Sequence, residues 1–262
     1  MTTKKQAPKH LTIRPLTIYD LEQVDKLEDN GFPKNERATI EKLKYRLTVC
    51  PELTSGLFIR EFIPKFQKAI DRSENGGKKG TTEETEEKGA RGNGDDDEDD
   101  DEDDEDDESK THNGYLPPSK STILKETLIG HIIGAKCFDE HITDRSMGIP
   151  KLTKDFLPDL TIEGNDKIGH VESSRYIGIH SIVINENYRG LKLGLLLIKD
   201  YLQKMNQQDI ADRIVIIAKD KLVNFYESLE FIDEGVSNCK FGGEEWHDLY
   251  YPLNHDEDDN DM

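Results

Sequence analysis

The sequence predicts an α/β domain built on a single mixed sheet. Segments of strand character recur along the chain among segments of helical period. One of them, Arg213–Ala218, is apolar through its Ile-Val-Ile-Ile centre, which marks a central strand covered on both faces. No internal repeat divides the chain, so the elements belong to one sheet and not to a stacked array.

The elements follow in order. Residues 10–14 (His-Leu-Thr-Ile-Arg) alternate as a short strand that Pro15 closes. Thr17 followed by Asp20 has the form of a capping box, so a helix is expected from about Ile18 to Asp29, with Leu21, Val24 and Leu27 as its buried stripe. A second helix, Ala38 to Val49, buries Ile40, Leu43, Tyr45 and Leu47, and Pro51 ends it. Gly56–Arg60 and Thr127–Ala135 read as strands, and residues 139–170 as a polar, mobile loop broken by Gly and Pro. Tyr176–Ile184 is the strongest strand signal in the chain. Leu193, Leu196, Leu197, Tyr201, Leu202 and Met205 then recur at helical spacing. After the strand 213–218 come a short helix, Leu222–Leu229, a strand beginning at Phe231-Ile232, and a last strand, Trp246–Leu253.

Across 262 residues the chain carries 55 acidic and 35 basic side chains, a formal net charge of −20. The excess is concentrated. Residues 63–122 hold 20 acids and 9 bases, and residues 254–262 hold 5 acids and no Lys or Arg. The 30 acids and 26 bases that remain are an ordinary globular balance. A chain with no basic footprint suits neither nucleic acid nor an anionic membrane surface, and neither is expected as a partner. The adjacent carboxylates of Asp95–Glu108 repel one another and bury nothing, so 63–122 is expected to be a disordered acidic insert in a hairpin loop. Loop closure tolerates it, because each doubling of loop length costs only about 0.6 kcal/mol. The expected organisation is one folded domain over 9–62 and 123–253, the insert between, and an acidic tail over 254–262.

Cys50, Cys137 and Cys239 are odd in number and far apart, which suits buried thiols in a reducing compartment. No apolar h-region follows Met1–Gln6, and no apolar run approaches ~20 residues, so a cytoplasmic monomer is expected. His131, His170, His247, Asp248 and Glu245 have no metal-ligand spacing, and no metal is expected. Ser173, Ser174 and Ser181 lack the context of a nucleophile elbow.

Chemistry concentrates between Ile182 and Leu195, where a strand passes through a tight turn into a helix. A helix entered this way offers unpaired N–H groups and its positive dipole end to an anion such as a diphosphate. Gly190 and Gly194 allow close approach of a ligand to the backbone, and Arg189 and Lys192 add positive charge. On these residues alone an ordinary strand–helix turn is equally compatible. The spacing is neither G-x-G-x-x-G nor a P-loop.

Arg189-x-x-x-x-Gly194 followed by an apolar helix resembles the acetyl-CoA motif of the GNAT superfamily, (Gln/Arg)-x-x-Gly-x-(Gly/Ala), with Lys192 at the position of the first glycine. Cys50-Pro51-Glu52-Leu53, His180 and Leu222-Val223-Asn224-Phe225-Tyr226 occur in the order found in the arylalkylamine N-acetyltransferase family. The chain especially resembles the fungal members of that family that acetylate polyamines. The resemblance spans about 10–60 and 125–253. It implies the GNAT fold, a mixed sheet with flanking helices that splays at the cofactor site, and acetyl-CoA as the acetyl donor. It also implies main-chain contacts to the pantetheine arm from Ile182, Val183 and Ile184. Diphosphate contacts would come from Arg189, Gly190, Leu191, Lys192, Leu193, Gly194 and Leu195.

The resemblance further places Tyr226 near the cofactor sulfur, where a phenol can protonate the departing thiolate. His180 matches one of the family's two catalytic histidines; the other position is Gly178 here. A base is needed, since freeing an alkylamine from an ammonium of pKa ~10.4 costs about 4.6 kcal/mol at pH 7. His180 is ranked first for that task, with Glu36 in Phe32-Pro33-Lys34-Asn35-Glu36 as rival or assistant. Phe32, Pro33 and Glu36 are the candidate contacts to the acceptor. The expected activity is direct transfer of acetyl to a primary amine, an arylalkylamine or a polyamine. The alternatives are acetylation of protein amines, or an inactive acidic escort of basic proteins.

Overall fold

The computed structural model describes residues 6–64, 122–155 and 157–253. The acidic insert, apart from its edges, and the tail 254–262 lie outside the described residues. The chain divides into two units, Met1–Glu61 with Lys125–Met262, and Phe62–Leu124. In the second unit the Ile63 N–H donates to the Thr122 carbonyl at 3.0 Å.

Among the described residues the strands are β1 (Leu11–Arg14), β2 (Thr54–Phe62), β3 (Ile123–Lys136), β4 (Tyr176–Ile184), β5 (Arg213–Ala218), β6 (Ile232–Val236) and β7 (His247–Pro252). The helices are α1 (Leu21–Gly31), α2 (Ile40–Val49), α3 (Leu193–Asn206) and α4 (Asp220–Glu227). One sheet takes all seven strands in the order β1-β2-β3-β4-β5-β7-β6. β4 and β5 are parallel, joined through α3, while β1–β2, β3–β4, β5–β7 and β6–β7 are antiparallel. The mixed sheet and the interior position of β5 agree with the sequence.

Local chemistry sets the helix starts. A 3-10 turn, Ile18–Asp20, precedes α1, and the Asp20 carboxylate accepts the Thr17 N–H at 2.8 Å and the Thr17 hydroxyl at 3.0 Å. Arg14 binds both oxygens of Asp20 at 2.9 Å and Glu126 at 2.9–3.0 Å, tying β1 to that turn and to β3. α2 begins at Ile40, two residues later than the sequence suggests. Thr39 caps it, its hydroxyl accepting the Lys42 N–H, while the Ala38 N–H is given to Glu28 Oε2 at 3.2 Å.

The sheet buries apolar side chains on both faces. Leu57, Ile177, Ile179, Ile214 and Ile216 pack with Leu197, Tyr201 and Met205 of α3. Phe58, Leu128, Ile133 and Val183 pack with Val24 and Leu27 of α1 and Leu43 and Leu47 of α2. Adjacent Leu57 and Phe58 fall in opposite layers, as strand alternation requires. The loop expected to be mobile is tied down: Asn165, almost wholly buried, bonds both the N–H and C=O of Lys151 and the carbonyl of Asp159 at 2.8–2.9 Å.

β4 breaks the alternation once. Ile133 faces Ser181 and Gly134 faces Ile179, so His180 is an extra residue in the ladder, a β-bulge. The side-chain parity confirms it. Ile179 packs on the α3 side, while Val183, four residues on, packs on the α1–α2 side. The bulge therefore turns His180 and Ser181 toward the same layer.

Candidate active site

Parallel pairing of β4 with β5 covers only Tyr176–Gly178 against Arg213–Val215. Past that point β5 continues on β7, from Ile216↔Leu249 to Ala218↔His247, and β4 continues on β3. The two strands splay. Between them opens a cleft of about 120 Å³, walled by Ile179–Ile182 and Ile216–Lys219 and closed by Leu222 and Tyr226 of α4. The Asn185 N–H donates to the Ile129 carbonyl at 2.8 Å. Ladder alternation then directs the main-chain groups of Val183 toward β3, and those of Ile182 and Ile184 toward the splayed edge. Of the three strand residues singled out from the sequence, two thus present backbone to the open side. The Ile184 carbonyl already accepts the Arg189 Nε–H at 3.0 Å.

His180 lines this cleft. Its Nδ1 lies 3.0 Å from the Met147 sulfur, and its Nε2 is buried without a hydrogen-bond partner among the described residues. With the proton on Nδ1, toward sulfur, Nε2 keeps a free lone pair; that tautomer is inferred from the contacts. Burial first, then the charges of Arg46, Lys42 and His170, holds the imidazole well below its usual value, so it is neutral at pH 7. A Cβ built on Gly178 would sit 3.4 Å from His180 Cε1 and only 2.7 Å from Ile142 Cδ1. A second histidine at 178 would have to displace the Ile142 side chain.

Tyr226 also lines the cleft, held edge-on by Phe225 and Phe231 with ring centres 5.2 and 5.4 Å away. Burial alone pushes its phenol up to about 12. It stays protonated at any physiological pH, the state a donor needs.

Glu36 and Phe32 line the cleft; Pro33 is not among the lining residues, and its carbonyl instead accepts the Glu36 N–H at 2.9 Å. Glu36 is not a free carboxylate. Lys219 Nζ lies 3.1 Å from Glu36 Oε1, 2.9 Å from Glu244 Oε2 and 4.2 Å from the centre of the Trp246 ring. Burial would lower the Lys219 ammonium, but its bonds to Glu244 and Glu36 outweigh that and raise it. An ion-paired Glu36 shows that this corner of the cleft can anchor a cation.

Sequence reasoning missed Lys219, Leu222, Phe241 and Trp246, which line the cleft together with Met147 of the 139–170 loop. Trp246, the single tryptophan, carried the one available signal. The others are assembled from separate loops and leave no local pattern.

The turn before α3 has the geometry of an anion cradle. Gly190 (φ 82°) and Lys192 (φ 60°) are both in the left-handed region, and Lys192 is the N-cap of α3 but offers no side-chain acceptor. The first-turn N–H groups of Leu193, Gly194 and Leu195 have no intrahelical carbonyl to reach. Lysine at the motif's first glycine thus keeps the backbone conformation glycine would adopt, at a cost of about 1–2 kcal/mol. A Cβ on Gly194 would meet only Ile184 Cγ1 at 3.5 Å, which explains a position open to Gly or Ala. Among the described residues no group of three or more His, Cys, Asp and Glu could hold a metal ion.

Residues 121–249 match the family model described as an acetyltransferase (GNAT) domain. The fold is similar to the loading GNATL domain of CurA from Lyngbya majuscula, with 13% identity over 94% of this chain and 98% of that one and a TM-score of 0.50. It is also similar to the GphF GNAT-like decarboxylase in complex with isobutyryl-CoA, with 11% identity over 93% and 100% and a TM-score of 0.50. Identities this low speak to the fold alone. No curated protein matches the sequence. The splayed mixed sheet, the strand–turn–helix at its edge and the structural likenesses agree: the chain has a fold of the GNAT type, and its residues 121–249 match the GNAT acetyltransferase family model.

Proposed function

We propose that the chain is an N-acetyltransferase that moves acetyl from acetyl-CoA directly to a primary amine, an arylalkylamine or a polyamine. The observation that carries this reading is the β4–β5 splay, which puts unpaired strand backbone, a partnerless imidazole nitrogen and a protonated phenol around one cleft. Ile182 and Ile184 would pair with the pantetheine amides. The turn from Arg189 to Leu195 would hold the diphosphate, by first-turn N–H groups and by the charge of Lys192. The acyl donor supplies an activated carbonyl with a thiolate leaving group.

The chain's own residues do the rest. His180 Nε2 accepts a hydrogen bond from the incoming amine and orients its lone pair. Tyr226 donates to the sulfur as the C–S bond breaks. Phe32, Phe241 and Trp246 give the acceptor pocket aromatic walls, which suits a ring-bearing amine. A polyamine is the second reading, favoured by Glu36 and Glu244, whose shared Lys219 ammonium occupies the kind of position a substrate ammonium would take. The fold does not choose the chemistry, since GphF is a GNAT-like decarboxylase.

The test is thiol release from acetyl-CoA with phenethylamine, tryptamine, putrescine, spermidine and a lysine peptide. Turnover on the small amines is expected. Turnover on the peptide alone would replace the small-amine reading, and turnover on none would remove it.

A further inference from the structure

Three polar side chains from three elements meet in the core behind the cleft wall. Glu28 of α1, His131 of β3 and Ser181 of β4 are 1%, 0% and 4% exposed. His131 Nε2 lies 2.9 Å from Glu28 Oε1 and 3.0 Å from Ser181 Oγ, and the Ser181 hydroxyl donates to the same Glu28 oxygen. Glu28 Oε2 accepts the Ala38 N–H at 3.2 Å. Burial alone would raise the Glu28 carboxyl, but the hydrogen bond and charge of His131, then Ser181 and Ala38, outweigh it, and the group is lowered. Glu28 is therefore an anion. Two donors on one carboxylate oxygen place a proton on His131 Nε2, and Nδ1 is buried without a hydrogen-bond partner among the described residues.

The bulge at His180 is what brings this group to the cleft. It turns His180 and Ser181 toward the same layer, and both residues line the cleft. His180 is a poor place to store a proton, because Arg46 and Lys42 of α2 and His170 all oppose a charge there. Arg46 is 2% exposed and its Nη2 has no partner among the described residues. Glu28 is already an anion, hydrogen-bonded to His131 and to Ser181 and within the field of Arg46. A proton delivered to Glu28 removes a buried carboxylate charge, whereas one delivered to His180 adds a cation that Arg46, Lys42 and His170 oppose.

We propose that Glu28, His131 and Ser181 form the proton relay of amine acetylation, with Ser181 Oγ as the atom that takes the proton the amine loses. The inference rests on the amine-transfer reading above. An N–H bond of the ammonium breaks and its proton bonds to Ser181 Oγ, while the former hydroxyl proton passes to Glu28 Oε1. No net bond changes at serine. The new carboxyl keeps the hydrogen bond from His131 Nε2–H, and the amine, now neutral, has its lone pair free to attack. Ser181 is the catalytic residue of the three; Glu28 and His131 act through it. The charged groups that face the relay are Arg46 from α2, near Glu28, and beyond His180 Lys42 and His170.

The experiment compares wild type, Ser181→Ala and Glu28→Gln on phenethylamine and on 2,2,2-trifluoroethylamine, whose nitrogen is already unprotonated at neutral pH. Both variants are expected to lose about 100-fold or more in kcat on phenethylamine, the usual yield of positioned proton transfer. On trifluoroethylamine they should stay within about threefold of wild type, with the KM for acetyl-CoA unchanged, because no proton has to be removed before attack. Equal losses on both amines, or full activity on phenethylamine, overturns the relay. Should Ser181→Ala unfold, Glu28→Gln decides on the same two amines. A wild type that acetylates neither amine overturns the transfer reading itself, a result distinct from any loss confined to the variants.

Discussion

Tyr226→Phe removes one oxygen from the cleft and leaves the ring contacts with Phe225 and Phe231 in place. Its effect can be bounded from the structure. Burial holds the phenol at about 12, against about 8.5 for an ordinary thiol. Full proton transfer to a free thiolate is therefore uphill by roughly 3.5 units, or about 5 kcal/mol. The residue must act as a hydrogen-bond donor to sulfur while charge develops, not as an acid that runs ahead of bond cleavage. A hydrogen bond to a charged group contributes about 1.5–3 kcal/mol, which is roughly 10- to 160-fold in kcat. The intact thioester sulfur carries no charge, so acetyl-CoA affinity should stay within about threefold. Continuous thiol release gives kcat, and equilibrium titration with acetyl-CoA gives Kd. Because the phenol does not ionise below about pH 11, the loss should be constant from pH 6 to 9. A variant with wild-type kcat, or one whose deficit lies wholly in acetyl-CoA binding, refutes the assignment.

Three further outcomes follow from the same geometry. His180 is held below its usual value in the folded chain, so the unfolded chain binds its proton first. The stability this residue contributes is present above about pH 6.5 and is lost as the pH falls below it. His180→Gln should flatten the Tm profile between pH 7 and 5, and an unchanged slope would refute this. Lys192→Gly relieves the left-handed strain but adds unfolded-state entropy, so stability should shift by no more than about 1 kcal/mol. Loss of the charge at the helix N-terminus should weaken acetyl-CoA binding by about two- to fivefold; tighter binding would remove Lys192 from the cradle. Arg46→Met replaces a buried guanidinium whose Nη2 has no partner among the described residues, and which burial holds down at about 10, with an apolar chain of similar length. Urea unfolding should show a gain of about 1–4 kcal/mol. Histidine NMR should show His180 titrating at higher pH. A destabilised variant would mean that the fold depends on that charge.

The cofactor half of the site was legible because its information is local. Strand Tyr176–Ile184, the turn with Gly190, and the apolar stripe of α3 are consecutive, and backbone spacing alone announces them. Tyr226 was legible only through resemblance, since a tyrosine beside Phe225 on a short helix reads equally as core. The β4 bulge was not legible. It exists because β3 and β4 differ by one residue across Ile133–Gly134, and only the pairing shows that count. For the same reason Ser181 reads from the sequence as a serine without a nucleophile's context, and Glu28 as one acid among many on an amphipathic helix. Their meeting with His131 depends on α1 lying over β3 and β4. Helix starts were misplaced where a side chain from elsewhere took a backbone donor, as Glu28 does with Ala38.

The acceptor half shows why the amine is harder to read than the acyl donor. Lys192 can stand where a glycine is customary because the donor's anchor is a backbone shape, and a shape tolerates a side chain at about 1–2 kcal/mol. The acceptor pocket has no such backbone code. Phe32 comes from the α1–α2 connection, Met147 from the 139–170 loop, Lys219 and Leu222 from the β5–α4 junction, and Phe241 and Trp246 from the segment before β7. Each sits at the end of an element, where substitution changes what the cleft accepts without touching the sheet. The Lys219 ammonium is the sharpest of these choices. Held by Glu36 and Glu244 and stacked on Trp246, it already satisfies the carboxylates that a polyamine's far end would need. A polyamine must displace that lysine, whereas an arylalkylamine needs only the aromatic wall. Lys219→Met should therefore raise kcat/KM for spermidine relative to phenethylamine, because two carboxylates lose their internal cation and gain a substrate's. A ratio that falls would place the polyamine's ammonium groups elsewhere in the cleft.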